Sequence, residues 1–336
     1  STIDELEENI MNRNQNQLYI YAVVALVIGL AIGYVAAGAM GDQTPTGDEE
    51  LQRQIDEYES EISNLESEID DLEADLAAAN EEEPISGDLF ISGSSTVFPI
   101  ADLAAEDFQN DNSGVNIQVE GTGSGTGVRK ASDGPADIGM ASRKVKASEL
   151  LNAPTLITFG VAKDSVSVAI NPDNTLAGSL DLTTEQVNQI FTGEINNWSE
   201  LGGENAEINV YSRESGSGTR ATFMDFTGIE EGEFAADASI QQGNSAMRAA
   251  VAGDPNGIAY ISLGYVDETV SPAKIDGAEG TVENVLAGTY PFQRILWMFT
   301  LGKPSELEQA YLDYVMSPEG QAIVEEEGFI PIYPTN

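Results

Sequence analysis

Three segments rich in glycine, serine and threonine carry the chemistry this chain offers. They are residues 93–99 (GSSTVFP), 121–127 (GTGSGTG) and 213–219 (RESGSGT). Each stands between a strand-like run and a helix-like run. A helix start leaves backbone N–H groups unpaired and carries a partial positive charge. Glycine lets the backbone approach a ligand closely, and the hydroxyls add short donors. Such a loop is a cradle for an anion. Arg213 adds a two-pronged cation suited to a tetrahedral oxyanion. One such loop reads equally well as a helix cap or a turn. Three of the same chemistry in one chain point to a shared ligand.

Other chemistries are excluded. The chain of 336 residues has no cysteine and no histidine. That removes disulfides, thiol nucleophiles, thiolate or imidazole metal sites and Ser-His-Asp triads. No G-x-x-x-x-G-K-[ST] loop and no G-x-S-x-G elbow is present, and residues 121–127 lack the G-x-G-x-x-G spacing. A phosphatase would need metal-bound carboxylates, and no tight Asp/Glu cluster stands in the loops. The expectation is a binding module with no catalysis, no cofactor and no metal. Acidic residues number 57 against 14 basic ones, a formal charge of -43. Such a charge repels nucleic acid and suggests a high-salt environment.

The elements that must hold the loops are legible as alternation. Strand-like runs at 87–92, 115–120 and 156–161 alternate with helix-like runs at 100–109 and 185–191. This predicts an α/β architecture with parallel strands across residues 84–336. Pro99 suits the first turn of a helix.

The N-terminal third is different. Residues 1–17 form a polar tail. Residues 18–40 are 23 in number and hold no charge, enough to span a bilayer core. A signal peptide is the alternative, but the tail before it is acidic rather than basic. Ala25, Gly29, Gly33 and Ala37 would share one helix face, where two backbones can approach. Residues 41–83 predict a linker and an acidic stalk. Within 48–83 there are 16 acidic residues and one basic. Leu51, Ile55, Tyr58, Ile62, Leu65, Ile69, Leu72 and Leu76 alternate at spacings of four and three, a heptad seam that favours a parallel dimer. Like charges flanking the seam oppose pairing at low salt, and a solvated single helix is the alternative. The homodimer expected through residues 25–37 and 51–76 is therefore salt-dependent. Pro84 ends the helix.

Residues 88–336 resemble the phosphate-binding proteins of ABC phosphate importers, the PstS type. The resemblance rests on the three loops and on 137–143 (DIGMASR), 186–198 (QVNQIFTGEINNW), 257–262 (GIAYIS) and 312–328 (LDYVMSPEGQAIVEEEG), in family order. It implies a two-lobed periplasmic-binding-protein-like clamp of class II. One lobe would comprise 84–160 plus 258–336 and the other 161–257, with crossings near 158–161 and 257–261. It implies a ligand set of Ser95 and Thr96; Ser124, Gly125 and Thr126; Ser142 and Arg143; and Arg213, Ser217, Gly218 and Thr219. Many relatives carry aspartate where this chain has Arg143, which leaves Asp137 or Glu214 to accept a ligand proton. The implied partners are inorganic phosphate and the permease of an ABC importer. The implied location is a single-pass anchor in the cell membrane with the clamp outside. The other function class left open is an oxyanion-binding sensor or surface-structural protein built on the same clamp.

Overall fold

A computed structural model describes residues 84–335 and scattered positions between 52 and 69. The predicted membrane span and most of the stalk lie outside the described residues. The described positions between 52 and 69 are helical, and Leu65 of the expected seam is 52% exposed. Among the described residues no helix is long and apolar enough to cross a membrane.

From residue 84 onward the chain alternates strand and helix. The order is β1 (Gly87–Gly93), α1 (Phe98–Asp111), β2 (Val115–Glu120), α2 (Ser124–Asp133), β3 (Ile138–Ala141), α3 (Ala147–Asn152) and β4 (Leu156–Ile170). Then come β5 (Asp181–Leu182), α4 (Thr184–Thr192), β6 (Asn209–Arg213), α5 (Gly218–Thr227), β7 (Ser239–Gln241), α6 (Gly243–Ala252) and β8 (Gly257–Ser262). The short pieces β9 (Ser271–Pro272), β10 (Lys274–Ile275) and α7 (Val282–Leu286) precede β11 (Gln293–Leu301), α8 (Glu306–Met316) and α9 (Pro318–Glu326). Local signals set many boundaries. Pro99 sits in the first turn of α1. Thr183 and Gln186 form a capping box on α4, and Ser305 with Glu308 does the same for α8.

The main sheet runs β2-β1-β3-β11-β4-β8-β6-β7. The expected parallel pairing holds for β1 with β2 and β3, and for β6 with β7 and β8. Between these groups β11 and β4 run antiparallel to their neighbours. Two large apolar cores result, with a small third cluster of Val128, Ala131, Ala141 and Phe299. The first joins Ile91, Ile100, Phe108, Met140, Val161, Leu296, Met298, Tyr311 and Val324. The second joins Val168, Ile190, Phe191, Phe223, Met247, Tyr260, Val285 and Phe292. Phe223 stacks on Tyr260 at 4.0 Å between ring centroids, the kind of aromatic packing that fixes a core.

β4 belongs to both. Its residues up to Ser165 pair with β11, and from Val166 they pair with β8. The first crossing between lobes therefore falls at 165–166, a few residues beyond the expected 158–161. The second differs more. Ile258–Ile261 of β8 pack in the second core, as do Val285, Tyr290 and Phe292. The chain rejoins the first core at β11, not at 258. Residues 166–292 thus form the second lobe. The reason is that 257–261 is a fully buried strand whose neighbours β4 and β6 both lie on that side.

Candidate oxyanion site

All three loops meet between the lobes. The first follows β1, the second follows β2, and Ser142 with Arg143 follows β3. The third loop comes from the other lobe, between β6 and α5. In each case the loop lies at the carboxyl end of a parallel strand, where open α/β sheets present ligand sites.

Hydrogen bonds tie the loops across the cleft. Gly125 N donates to Gly216 O at 3.0 Å. Thr96 Oγ1 lies 3.2 Å from Thr219 Oγ1. Arg213 Nη2 donates to Ser95 Oγ at 3.2 Å. Thr222 Oγ1 donates to Ser142 O at 3.2 Å. Within the first lobe, Ser124 Oγ and Ser142 Oγ are 3.3 Å apart. Ser217 caps α5, its Oγ accepting from Arg220 N at 3.2 Å, which leaves the amides of Gly218 and Thr219 at an open helix start. Thr96, Ser124, Ser142, Arg213, Ser217 and Thr219 are all buried. Thr126 is half-buried in the first turn of α2 and makes no side-chain hydrogen bond to the other loops.

Arg213 is the centre of the set. It is 1% exposed. Glu214 holds its Nε and Nη2 at 2.7 Å each, and Asn244 Oδ1 accepts from Nη1 at 3.1 Å. Burial acts to raise the Glu214 carboxyl. The Arg213 hydrogen bonds and charge, with the Gly243 N–H, outweigh it and hold the carboxyl below its ordinary value. Glu214 is thus an anion at neutral pH that orients the guanidinium. Asp137 does not share this role: it is exposed, and its Oδ2 accepts from Phe90 N.

Arg143 is held by a carboxylate as Arg213 is. Glu149 of α3 takes Nη1 and Nη2 at 2.8 and 2.7 Å, and Nη1 also reaches Lys144 O at 3.0 Å. Burial opposes ionisation of Glu149. The Arg143 hydrogen bonds, the Lys146 N–H and the two cations bring its carboxyl below the ordinary value. The Arg143 side chain, held in this ion pair, comes close to Gly125 of the second loop.

Four further residues complete the network. Asp164, 0% exposed, accepts from Arg294 Nε at 2.7 Å, Ser262 Oγ at 2.9 Å and Leu263 N at 3.2 Å. Arg294 Nη1 donates to Ser142 O at 3.2 Å and Nη2 to Thr96 Oγ1 at 3.4 Å. Asn244 Nδ2 donates to Thr96 Oγ1 at 2.8 Å. Burial lowers the proton affinity of Arg294, and the Asp164 carboxylate opposes that fall. Tyr265 O–H donates to Ser95 O at 2.8 Å, and burial first, then Glu327, pushes its pKa up to about 12. The pair had a signal in the sequence. Asp164 and Arg294 each stand in an apolar strand, and a buried charge requires a partner. Asn244 and Tyr265 had none.

Gly218 shows how closely the lobes meet. A methyl group there would overlap Ser124 Oγ and Ser142 Oγ of the opposite lobe. Gly218→Ala is expected to block closure, lowering oxyanion affinity by about 100-fold, the scale of a lost ring of hydrogen bonds. Thermal unfolding without ligand should stay within about 3 °C of the parent, since neither core is touched. Undiminished affinity in calorimetry would refute this contact.

Such a geometry defines a class: two α/β lobes on a shared sheet, closing over donor loops at strand ends. The model of the PBP superfamily domain matches residues 78–319. A phosphate-binding protein PstS of Bacillus subtilis is 35% identical over 257 residues, covering 76% of this chain and 84% of that one. A Pseudomonas aeruginosa phosphate-binding protein PstS is 31% identical, covering 74% and 84%. A Clostridium perfringens protein whose crystal structure holds bound phosphate superposes with a TM-score of 0.70 at 37% identity, covering 73% of this chain and 100% of that one. The chain belongs to the PstS-type phosphate-binding proteins.

Proposed function

We propose that this chain captures inorganic phosphate and delivers it to the permease of an ABC importer. One observation carries the reading: Ser95, Thr96, Ser124, Ser142, Ser217, Thr219 and Arg213 converge from two lobes on one place. Short hydroxyls, helix-start amides and a fixed guanidinium suit a small ion with four oxygens on all sides. The named activities of the relatives agree. The clamp performs no bond chemistry. Two lobes that part expose the loops, and two lobes that close replace the water of the ion with protein donors. On a chain of charge -43, attraction comes from local dipoles and arginines rather than from the overall field. Calorimetric titration of the full chain with phosphate, arsenate and sulfate in molar salt tests this. One-to-one phosphate binding is the expected result. Sulfate bound in preference to phosphate, or no heat from either, would overturn it.

The N-terminal segments support a finer reading. Residues 18–40 anchor the protein in the cell membrane, residues 41–83 hold the clamp away from it, and the clamp faces outward. The small-residue face at 25–37 and the heptad seam at 51–76 pair two chains when salt screens the acidic flanks. Cross-linking at high and low salt is expected to give dimer only at high salt. Equal monomer content in both would sink the pairing.

A further inference from the structure

The hydroxyls of the site are not free to choose between donating and accepting. Ser95 Oγ accepts from Arg213 Nη2 at 3.2 Å, Ser124 Oγ from Ser142 N at 3.0 Å and Ser217 Oγ from Arg220 N at 3.2 Å. Each has an N–H behind it, so its own proton is left to donate. Thr96 is held most firmly. Its Oγ1 accepts from Asn244 Nδ2 at 2.8 Å and, in a longer contact of 3.4 Å, from Arg294 Nη2. A hydroxyl oxygen has two lone pairs. Both face N–H donors here, so the Thr96 O–H must donate, to Thr219 Oγ1 at 3.2 Å or to a bound ion.

Asn244 sets this direction. It is 1% exposed and lies in the first turn of α6, in the second lobe. Its Oδ1 accepts from Arg213 Nη1 at 3.1 Å and from Ser262 N at 3.4 Å. Those two groups can only donate, which fixes the amide with its oxygen toward Arg213 and its nitrogen toward Thr96. A guanidinium has five N–H groups. Glu214, Ser95 and Asn244 take four of those on Arg213, which leaves one on Nη1 for a ligand. Thr96 belongs to the first lobe and Asn244 to the second, so the direction is imposed only when the lobes close.

We propose that Asn244 is a positioning residue that fixes the polarity of the donor set. It acts through Thr96 and Arg213 rather than on the ion. Through Nδ2 it makes the Thr96 hydroxyl a donor, and through Oδ1 it selects which Arg213 N–H stays open. The ion served is one whose oxygens accept from both of these groups. This rests on the phosphate reading above. A carboxylate in the same place would keep both contacts and reverse one of them. It would accept from Thr96 and turn a lone pair of that hydroxyl toward the anion. Shape would be preserved and polarity lost.

Calorimetric titration of the full chain with inorganic phosphate, beside thermal unfolding without ligand, tests this on variants of Asn244 and Thr96. Asn244→Asp retains a hydrogen bond to Thr96 and gains a charge partner in Arg213, so it should unfold no more easily than Asn244→Ala. It should nevertheless bind phosphate about tenfold more weakly than Asn244→Ala, and about 100-fold more weakly than the parent. A structural role alone predicts the reverse order of affinities. The Thr96→Val background separates the added charge. There the cost of Asn244→Asp should fall to about tenfold, the part that charge alone accounts for. Thr96→Val itself should cost about tenfold, the loss of one neutral hydrogen bond. If the acidic variant does not fold, Asn244→Ala carries the test, costing about tenfold with Thr96 present and under about fivefold in the Thr96→Val background. The inference is overturned if Asn244→Asp binds phosphate as well as Asn244→Ala does. It is also overturned if the cost of either substitution is the same with and without the Thr96 hydroxyl, or if Thr96→Val abolishes binding outright. A parent chain that binds no phosphate brings down the reading of the loops, and this inference with it.

Discussion

Arg213→Met is expected to abolish useful oxyanion binding while leaving the protein folded. The guanidinium is buried, touches Ser95 and Asn244, and is clamped by Glu214. Each hydrogen bond from a charged donor contributes about 1.5–3 kcal/mol. Losing two lowers affinity by at least about 100-fold. Stability falls too, because Glu214 loses its partner at a site where its side chain is 17% exposed; about 1–3 kcal/mol is the scale of such a loss. The double variant Arg213→Met/Glu214→Gln separates the two effects. It should recover most of the stability and none of the binding. Arg213→Lys should bind weakly, since an ammonium cannot reproduce the planar fork. Calorimetry with phosphate checks all three. An Arg213→Met protein with parental affinity would remove Arg213 from the site.

Arg294→Met is expected to have the largest effect on stability. It leaves Asp164 with no cation in a place with 0% exposure. Breaking a buried ion pair by removing one partner costs about 3–5 kcal/mol. For a unit of this size that is a fall in Tm of roughly 10 °C. The double variant Asp164→Asn/Arg294→Met should regain part of it, because no bare charge remains. Differential scanning calorimetry reads the result, and a shift under about 2 °C would refute the role of the pair. Phosphate affinity should fall as well, since Arg294 holds Ser142 O and Thr96 Oγ1 in place.

The loops were legible because their chemistry is local. Pro99, Ser217 and the glycines announce helix starts in the sequence itself, and the structure puts α1, α2 and α5 there. Their convergence was not local. Periodicity says nothing of which strand ends share one edge; the family resemblance supplied it. The partner of Arg143 was not legible either. The motif placed Arg143 near the ligand but gave no sign that Glu149, six residues on, holds the same guanidinium. The lobe boundary failed for a related reason. A buried strand such as Gly257–Ser262 reads the same on either side of a hinge. Only its partners β4 and β6 decide the side. Asp164 and Arg294 pair over 130 residues of sequence, a distance no motif spans.

The placement of β11 sets an order on the growing polypeptide. By the time Phe292 has left the ribosome, the chain holds every buried member of the second core except Ile330. The first core began earlier, at Leu89, but still lacks the strand that separates β3 from β4. That strand is finished only at Leu301, and α8 and α9 follow it. The half of the molecule that starts first is therefore the last that can be completed, and it waits with an open edge between β3 and β4.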